Sequence, residues 1–158
     1  MKAAILALAL LIPSPAVPQQ SGVPVDTIAR AKFPNDNPAQ IDAIAAFNKA
    51  VNGALTYETD QEHYGVEDHY VSLPPDGKGD CEDYALSKIE LLSAIGFPTV
   101  TNSKLVFVVV HVGKDRYGHA IVAILLPSGA VAYLDMNGEP MTRSELLAKG
   151  YEFQRWEA

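Results

Sequence analysis

The chain has 158 residues, of which 48% are hydrophobic and 20% charged, the balance of one soluble globular domain. That excludes a disordered tail, a collagen-like chain and a multi-span membrane protein. Twelve Lys+Arg against nineteen Asp+Glu give a net charge of −7, so nucleic acid and anionic membrane surfaces are poor partners. One cysteine excludes an intramolecular disulfide and a structural zinc site built on two or more cysteines.

The N-terminus, MKAAILALALLIPSPAVPQQ, reads as a signal peptide over residues 1–20. Lys2 supplies a positive start, and the apolar run Ala3 to Ile12 is too short to span a bilayer. Ser14-Pro15-Ala16 offers small residues for cleavage, and Pro13, Pro15 and Pro18 break any helix continuing from the run. Its removal takes away Lys2, so −7 becomes −8. The expected location is periplasmic or secreted, where a lone thiol is unusual.

The expected single domain covers residues 21–158. Residues 17–36, with Pro18, Gly22, Pro24 and Pro34, read as an irregular lead-in. Asn37-Pro38 is a helix start, with Ile41, Ile44, Ala45, Asn48, Val51 and Leu55 following at helical spacing. Residues 56–79 are polar and aromatic and read as a long loop, of the kind that is usually functional. A second helix begins at Asp80, with Ala85, Ile89 and Leu92 on one stripe and Gly96 and Pro98 as its stop. Three β-rich runs follow at Lys104–Val112, Ala120–Leu126 and Ala130–Asp135, with turns at Gly113–Tyr117 and Pro127-Ser128-Gly129. Thr142-Arg143-Ser144-Glu145 starts a short last helix. Helix, loop, helix and antiparallel sheet make an α+β domain.

Cys81 falls in the first turn of the second helix, within Gly79-Asp80-Cys81-Glu82-Asp83-Tyr84-Ala85. A helix N-terminus favours thiolate and offers free N–H groups, the Cys81 N–H among them, to an oxyanion. The neighbouring acids push the other way unless a cation neutralises them. The bland alternative is an inert buried cysteine. A three-residue loop at 127–129 pairs Leu126 with Ala130, hence Ile121 with Asp135. Side-chain alternation then makes His119 and Asp135 diagonal neighbours on one sheet face. That is a base with its orienting carboxylate. Docking the start of the cysteine helix on the same face would complete a Cys-His-Asp triad. His63 and His69 in the loop and His111 at a strand end read as ordinary surface residues. A metal site of Cys81, His119 and a carboxylate is disfavoured, because no histidine pair has zinc-motif spacing.

The segments Val51-Asn52, Tyr57-x-x-Asp60, Tyr64-Gly65-Val66-x-Asp68-x-Tyr70 and GDCEDYA at 79–85 resemble the bacterial transglutaminase-like cysteine proteinases. So do Gly96-Phe97-Pro98, Gly118-His119-Ala120 and Leu134-Asp135-x-Asn137. The resemblance covers roughly residues 44–138; Tyr70 stands where the family usually has Trp. It implies a papain/transglutaminase-like fold, with the cysteine opening a central helix packed on an antiparallel sheet. It also implies a Cys81, His119, Asp135 triad and calcium bound by Asp80, Glu82 and Asp83. The implied substrate is a protein, such as a cell-surface adhesin whose release controls biofilm, and the implied regulator is an inner-membrane receptor. On this reading the protein is an exported, calcium-dependent cysteine endopeptidase working through a thioester acyl-enzyme. Acyl transfer to an amine uses the same residues, a cell-wall peptidase starts its helix similarly, and a calcium-dependent binding module is the non-enzyme alternative.

Overall fold

The computed structural model of the chain describes residues 27–95 and 103–153. The expected signal peptide, 1–20, and the expected helix stop Gly96-Phe97-Pro98 lie outside the described residues. The lead-in is not wholly irregular: α1 spans Thr27–Lys32, and Ala29 and Phe33, four residues apart, are both buried. A single helical turn suffices to put that pair on one side. Asn37 caps α2 (Pro38–Ala54), its side chain accepting from the Ala39 N–H at 2.9 Å. Pro38 sits at the first helical position, where a missing N–H costs nothing. Ile41, Ile44, Ala45, Asn48 and Val51 form its buried stripe.

The stretch 56–79 holds more structure than its composition predicts. It contains β1 (Thr56–Tyr57), α3 (Asp60–His63) and β2 (Lys78–Gly79). β1 and β2 pair in parallel, Tyr57 opposite Gly79, which brings the loop back to the start of α4 (Cys81–Ala94). Elements of two and four residues are too short to carry a periodic pattern. α3 has a local signal all the same, the capping box of Thr59 and Glu62.

β3 (Ser103–Val112), β4 (Asp115–Leu125), β5 (Val131–Leu134) and β6 (Tyr151–Phe153) form one antiparallel sheet in the order β5-β4-β3-β6. β4 begins five residues before the expected Ala120, because Val112 pairs with Asp115 across a turn of only Gly113 and Lys114. Gly113 takes φ +65°, which such a tight turn requires. At the other end of β4 the Leu126 N–H donates to the Ala130 carbonyl at 2.8 Å, closing the three-residue loop 127–129. α5 (Arg143–Ala148) carries a second capping box, from Thr142 and Glu145.

The sheet is covered on both faces. Ala120, Val122 and Ile124 of β4 face α1, α2 and α4, packing with Phe33, Ile41, Ile44, Ala85 and Leu92. Ile121 faces the other way, with Val108, Tyr133, Met141 and Leu146. Each fully buried Val, Leu, Ile, Phe or Met side chain among them contributes roughly 1.5–3 kcal/mol by leaving water. No helix of the described residues is long and apolar enough to cross a membrane.

Candidate active site

Cys81 opens α4 and is partly buried. The Asp80 side chain caps the helix by accepting from the Glu82 N–H at 3.2 Å. The thiol lies 2.8 Å from Glu82 Oε2, to which it donates. Burial first, then the hydrogen bond to Glu82 and its charge, push the thiol well above its ordinary pKa. A hydrogen bond from the Ala120 backbone works in the opposite direction. Burial, together with the acids around the cysteine, therefore outweighs the helix terminus, whose effect on a charge is about 0.3–1 kcal/mol.

His119 Nε2 lies 2.9 Å from Asp135 Oδ1. Continuing the β4–β5 register, in which Val122 pairs with Leu134, sets Ile121 opposite Asp135 and His119 diagonal to it. With Nε2–H donated to the carboxylate, Nδ1 is the nitrogen left as a base. Asp135 is 1% exposed, yet its carboxyl stays below its ordinary pKa. Burial alone would raise it; the bonds from His119 and Tyr151, and the His119 charge, overcome that. The Tyr151 hydroxyl donates to Asp135 Oδ2 at 2.5 Å and its ring stands edge-on to His119, centroids 5.9 Å apart.

One sequence expectation is corrected. α4 does not dock on the sheet face that carries His119. It packs on the Ala120–Val122–Ile124 face, whereas His119 shares the side of Ile121. Strand alternation gives parity and leaves open which layer covers which face. Cys81 and His119 meet instead at the end of the sheet. β5 stops at Leu134, opposite Val122, so β4 residues 119–121 have no β5 partner. There a cavity of about 320 Å³ is lined by Cys81, His119, Tyr57, Tyr117, Met136 and Tyr151, among others.

Beside the thiol is an acidic cluster. One carboxylate oxygen from each of Asp60, Asp80 and Asp83 lies within 4.8 Å of the others, and Asp80, Cys81 and Glu82 form an overlapping group. Asp60 and Asp83 are 2% and 0% exposed, so Asp83 is not an acid in solvent at the first turn. Asp60 Oδ2 accepts from the His69 N–H, and Asp83 Oδ1 from the Val71 N–H at 2.7 Å. Asp60 Oδ1 and Asp83 Oδ2 are buried without a hydrogen-bond partner. Burial, then the Glu82 charge, raise the Asp80 carboxyl to about 7; Asp83 is raised as well, mainly by burial. Unpartnered, mutually repelling hard oxygens suit a divalent cation such as calcium. Asp80 and Asp83 thus lie together with Asp60, while the Glu82 carboxylate sits on the thiol.

Among the remaining histidines, His63 is more than surface. It is largely buried, with Nε2 2.8 Å from Asp76 Oδ2 and its ring stacked on Tyr64 at 3.9 Å. His111 pairs with Glu152 at 3.1 Å. Four residues of the site receive no role from the sequence, although Asn52 and Asp60 fall within the segments that carry the family resemblance. Tyr151 sits in a three-residue strand after α5, and Asp60 is hidden in the loop. Lys88 donates to the Asp135 backbone carbonyl at 2.7 Å, and Asn52 to the same oxygen at 3.0 Å. Lys88 had a signal: it lies on the same helical stripe as Ala85 and Leu92, a charge where apolar side chains belong.

No curated protein matches the chain. A family model does: the one described as bacterial transglutaminase-like cysteine proteinase, BTLCP, matches residues 24–153.

Proposed function

From the premise that the chain belongs to the bacterial transglutaminase-like cysteine proteinases, and is therefore a cysteine peptidase acting on protein, we propose that Cys81, His119 and Asp135 are its catalytic triad. The observation that carries this is the shared cavity. A thiol at a helix N-terminus and a histidine tied to a buried carboxylate line the same space.

The chemistry follows from the atoms. His119 Nδ1 takes the Cys81 proton and the sulfur attacks the peptide carbonyl. Free N–H groups at the start of α4, with the Cys81 N–H first among them, stabilise the oxyanion. His119 then gives the proton to the leaving amine, and water releases the acyl group from the thioester. Asp135 keeps Nε2 protonated and stabilises the imidazolium that forms.

Asp60, Asp80 and Asp83 would hold a calcium ion, and Glu82, which touches the thiol, borders that site. The ion's charge would offset the acid cluster that now disfavours thiolate. The N-terminal segment supports export to the periplasm or beyond, where a lone thiol is unusual and calls for a role of its own. There the family resemblance points to an adhesin as substrate and a membrane receptor as regulator.

The test compares wild type with Cys81→Ala on a surface-protein preparation, reading new N-termini by mass spectrometry, with and without EGTA. New termini that require Cys81 and fade with EGTA are expected. Equal cleavage by Cys81→Ala would overturn the triad, and cleavage indifferent to EGTA would overturn the calcium site.

A further inference from the structure

The backbone carbonyl of Asp135 lies where β5 has ended, so no strand neighbour holds it. Two side chains from the helical layer replace the missing ladder bond. Lys88 Nζ of α4 donates at 2.7 Å and Asn52 Nδ2 of α2 at 3.0 Å, both to this one oxygen. Asn48, one turn before Asn52, holds the Gly138 carbonyl at 2.9 Å, so the whole bend 135–138 is gripped from below. Its upper side, through Met136 and Asn137, lines the cavity with Cys81 and His119.

Satisfying a buried carbonyl takes one neutral donor, and Asn52 already is one. The second donor is a lysine with 1% exposure. Placing an ammonium there costs several kcal/mol relative to an apolar side chain of the same volume. A chain that bears this cost gains something other than stability. The gain lies on the same residue. The carbonyl and the side chain share the Asp135 Cα, so fixing the carbonyl fixes the point and angle from which the carboxylate reaches His119. Asp135 Oδ1 must point at His119 Nε2 to keep Nδ1 free for the thiol.

We propose that Lys88 is a positioning residue, acting with Asn52 as a two-donor clamp on the Asp135 carbonyl that aims its carboxylate at His119. The clamp rests on the triad reading above. Burial works against the ammonium of Lys88, and the charge that partly offsets this is that of Asp135 itself, so the clamp and the carboxylate it aims are coupled. His119 from β4, Tyr151 from β6 and the Asn137 backbone N–H hold the carboxylate, while Lys88 and Asn52 hold the carbonyl of the same residue.

The experiment compares wild type, Lys88→Met, Asn52→Leu and the double variant in the full chain. Two quantities are read: kcat and KM on a cleaved substrate, and the low-field proton signal of a histidine N–H bound to carboxylate. Each single variant should lower kcat about tenfold with KM unchanged, since a small misplacement near the reacting atoms costs that much or more. Each should also shift or broaden the His119 signal. The double variant should lose more than the product of the singles, because both donors serve one oxygen. Singles that keep both kcat and the signal overturn the clamp, as does a raised KM at unchanged kcat. If Lys88→Met loses its cooperative melt, Asn52→Leu decides alone. Should wild type show no Cys81-dependent cleavage, the triad reading fails, and the His119 signal still tests the clamp.

Discussion

Replacing Lys88 with methionine should change how stability depends on pH. Burial pushes the Lys88 ammonium from its ordinary value of 10.5 down to about 7, against a partly compensating pull from Asp135. Between those values the unfolded chain binds a proton that the folded chain does not. Unfolding therefore takes up a proton, and stability rises with pH across this window by up to about 1.4 kcal/mol per pH unit. Below pH 7 both states are protonated, and the folded state carries the full cost of the buried charge. Over the interval from 10.5 to about 7 that cost is on the order of 5 kcal/mol. Methionine fills nearly the same volume without a charge. It also drops one hydrogen bond to the Asp135 carbonyl, an offset of about 1 kcal/mol at every pH. Lys88→Met should thus be the more stable protein at pH 6, with an advantage that shrinks steadily towards pH 10. Urea melts of both proteins at pH 6, 7, 8, 9 and 10 measure this. Cys81→Ala serves as the common background, because the raised thiol pKa contributes an opposite trend as pH passes its ordinary value of 9.0. The Asp80 carboxyl, near 7, is common to both and cancels. Parallel stability curves over the whole range would refute a buried, titrating ammonium.

Gly79→Ala should cost roughly 1–3 kcal/mol in urea melts and most of the activity, because the new Cβ would sit 2.6 Å from Asp83 Cβ and force that carboxylate out of the cluster. Asp60→Asn should abolish any rise in melting temperature on adding calcium, since it removes one of the three carboxylates that would hold the ion, while wild type gains several degrees; an equal rise in both would exclude Asp60. Tyr151→Phe should lower kcat several-fold with little change in melting temperature, because Asp135 Oδ2 loses its hydroxyl donor while the ring keeps its edge contact with His119; unchanged kcat would make that bond incidental. Thr142→Ala should cost about 1 kcal/mol by removing the cap of α5, read as an earlier urea midpoint with an unchanged slope.

What could be read from the sequence was local or periodic. The three-residue loop 127–129 set the β4–β5 register, and with it the distance between His119 and Asp135, because a register once started propagates without further information. The Asn37-Pro38 start and the Asp80 cap each depend on residues adjacent in sequence. What could not be read depends on contacts between elements distant in the chain. Tyr151 reaches Asp135 only because β6 adds to the far edge of β3, a pairing that a three-residue strand does not announce. The two short strands that return the loop to Gly79 are likewise a long-range pairing.

The face on which α4 docks is the most informative of these differences. Alternation correctly groups His119 with Ile121 and against Ala120, and the apolar stripe of α4 correctly demands a sheet beneath it. Neither constraint says that the two must coincide, and both faces of β4 are apolar enough to accept a helix. The chain resolves this by stopping β5 early. A longer β5 would continue past Asp135 and pair with β4 residues 119–121, closing the side on which Cys81 approaches. The early stop leaves an open edge for the thiol, and it also leaves the Asp135 carbonyl without a ladder partner. The need for Lys88 and Asn52 follows from the same interruption that lets Cys81 and His119 share a cavity. Extending β5, by replacing Asn137-Gly138 with Val-Thr, should therefore reduce thiol alkylation by iodoacetamide in the folded protein. Labelling as fast as in wild type, with the fold intact by circular dichroism, would show that the thiol reaches His119 by another route.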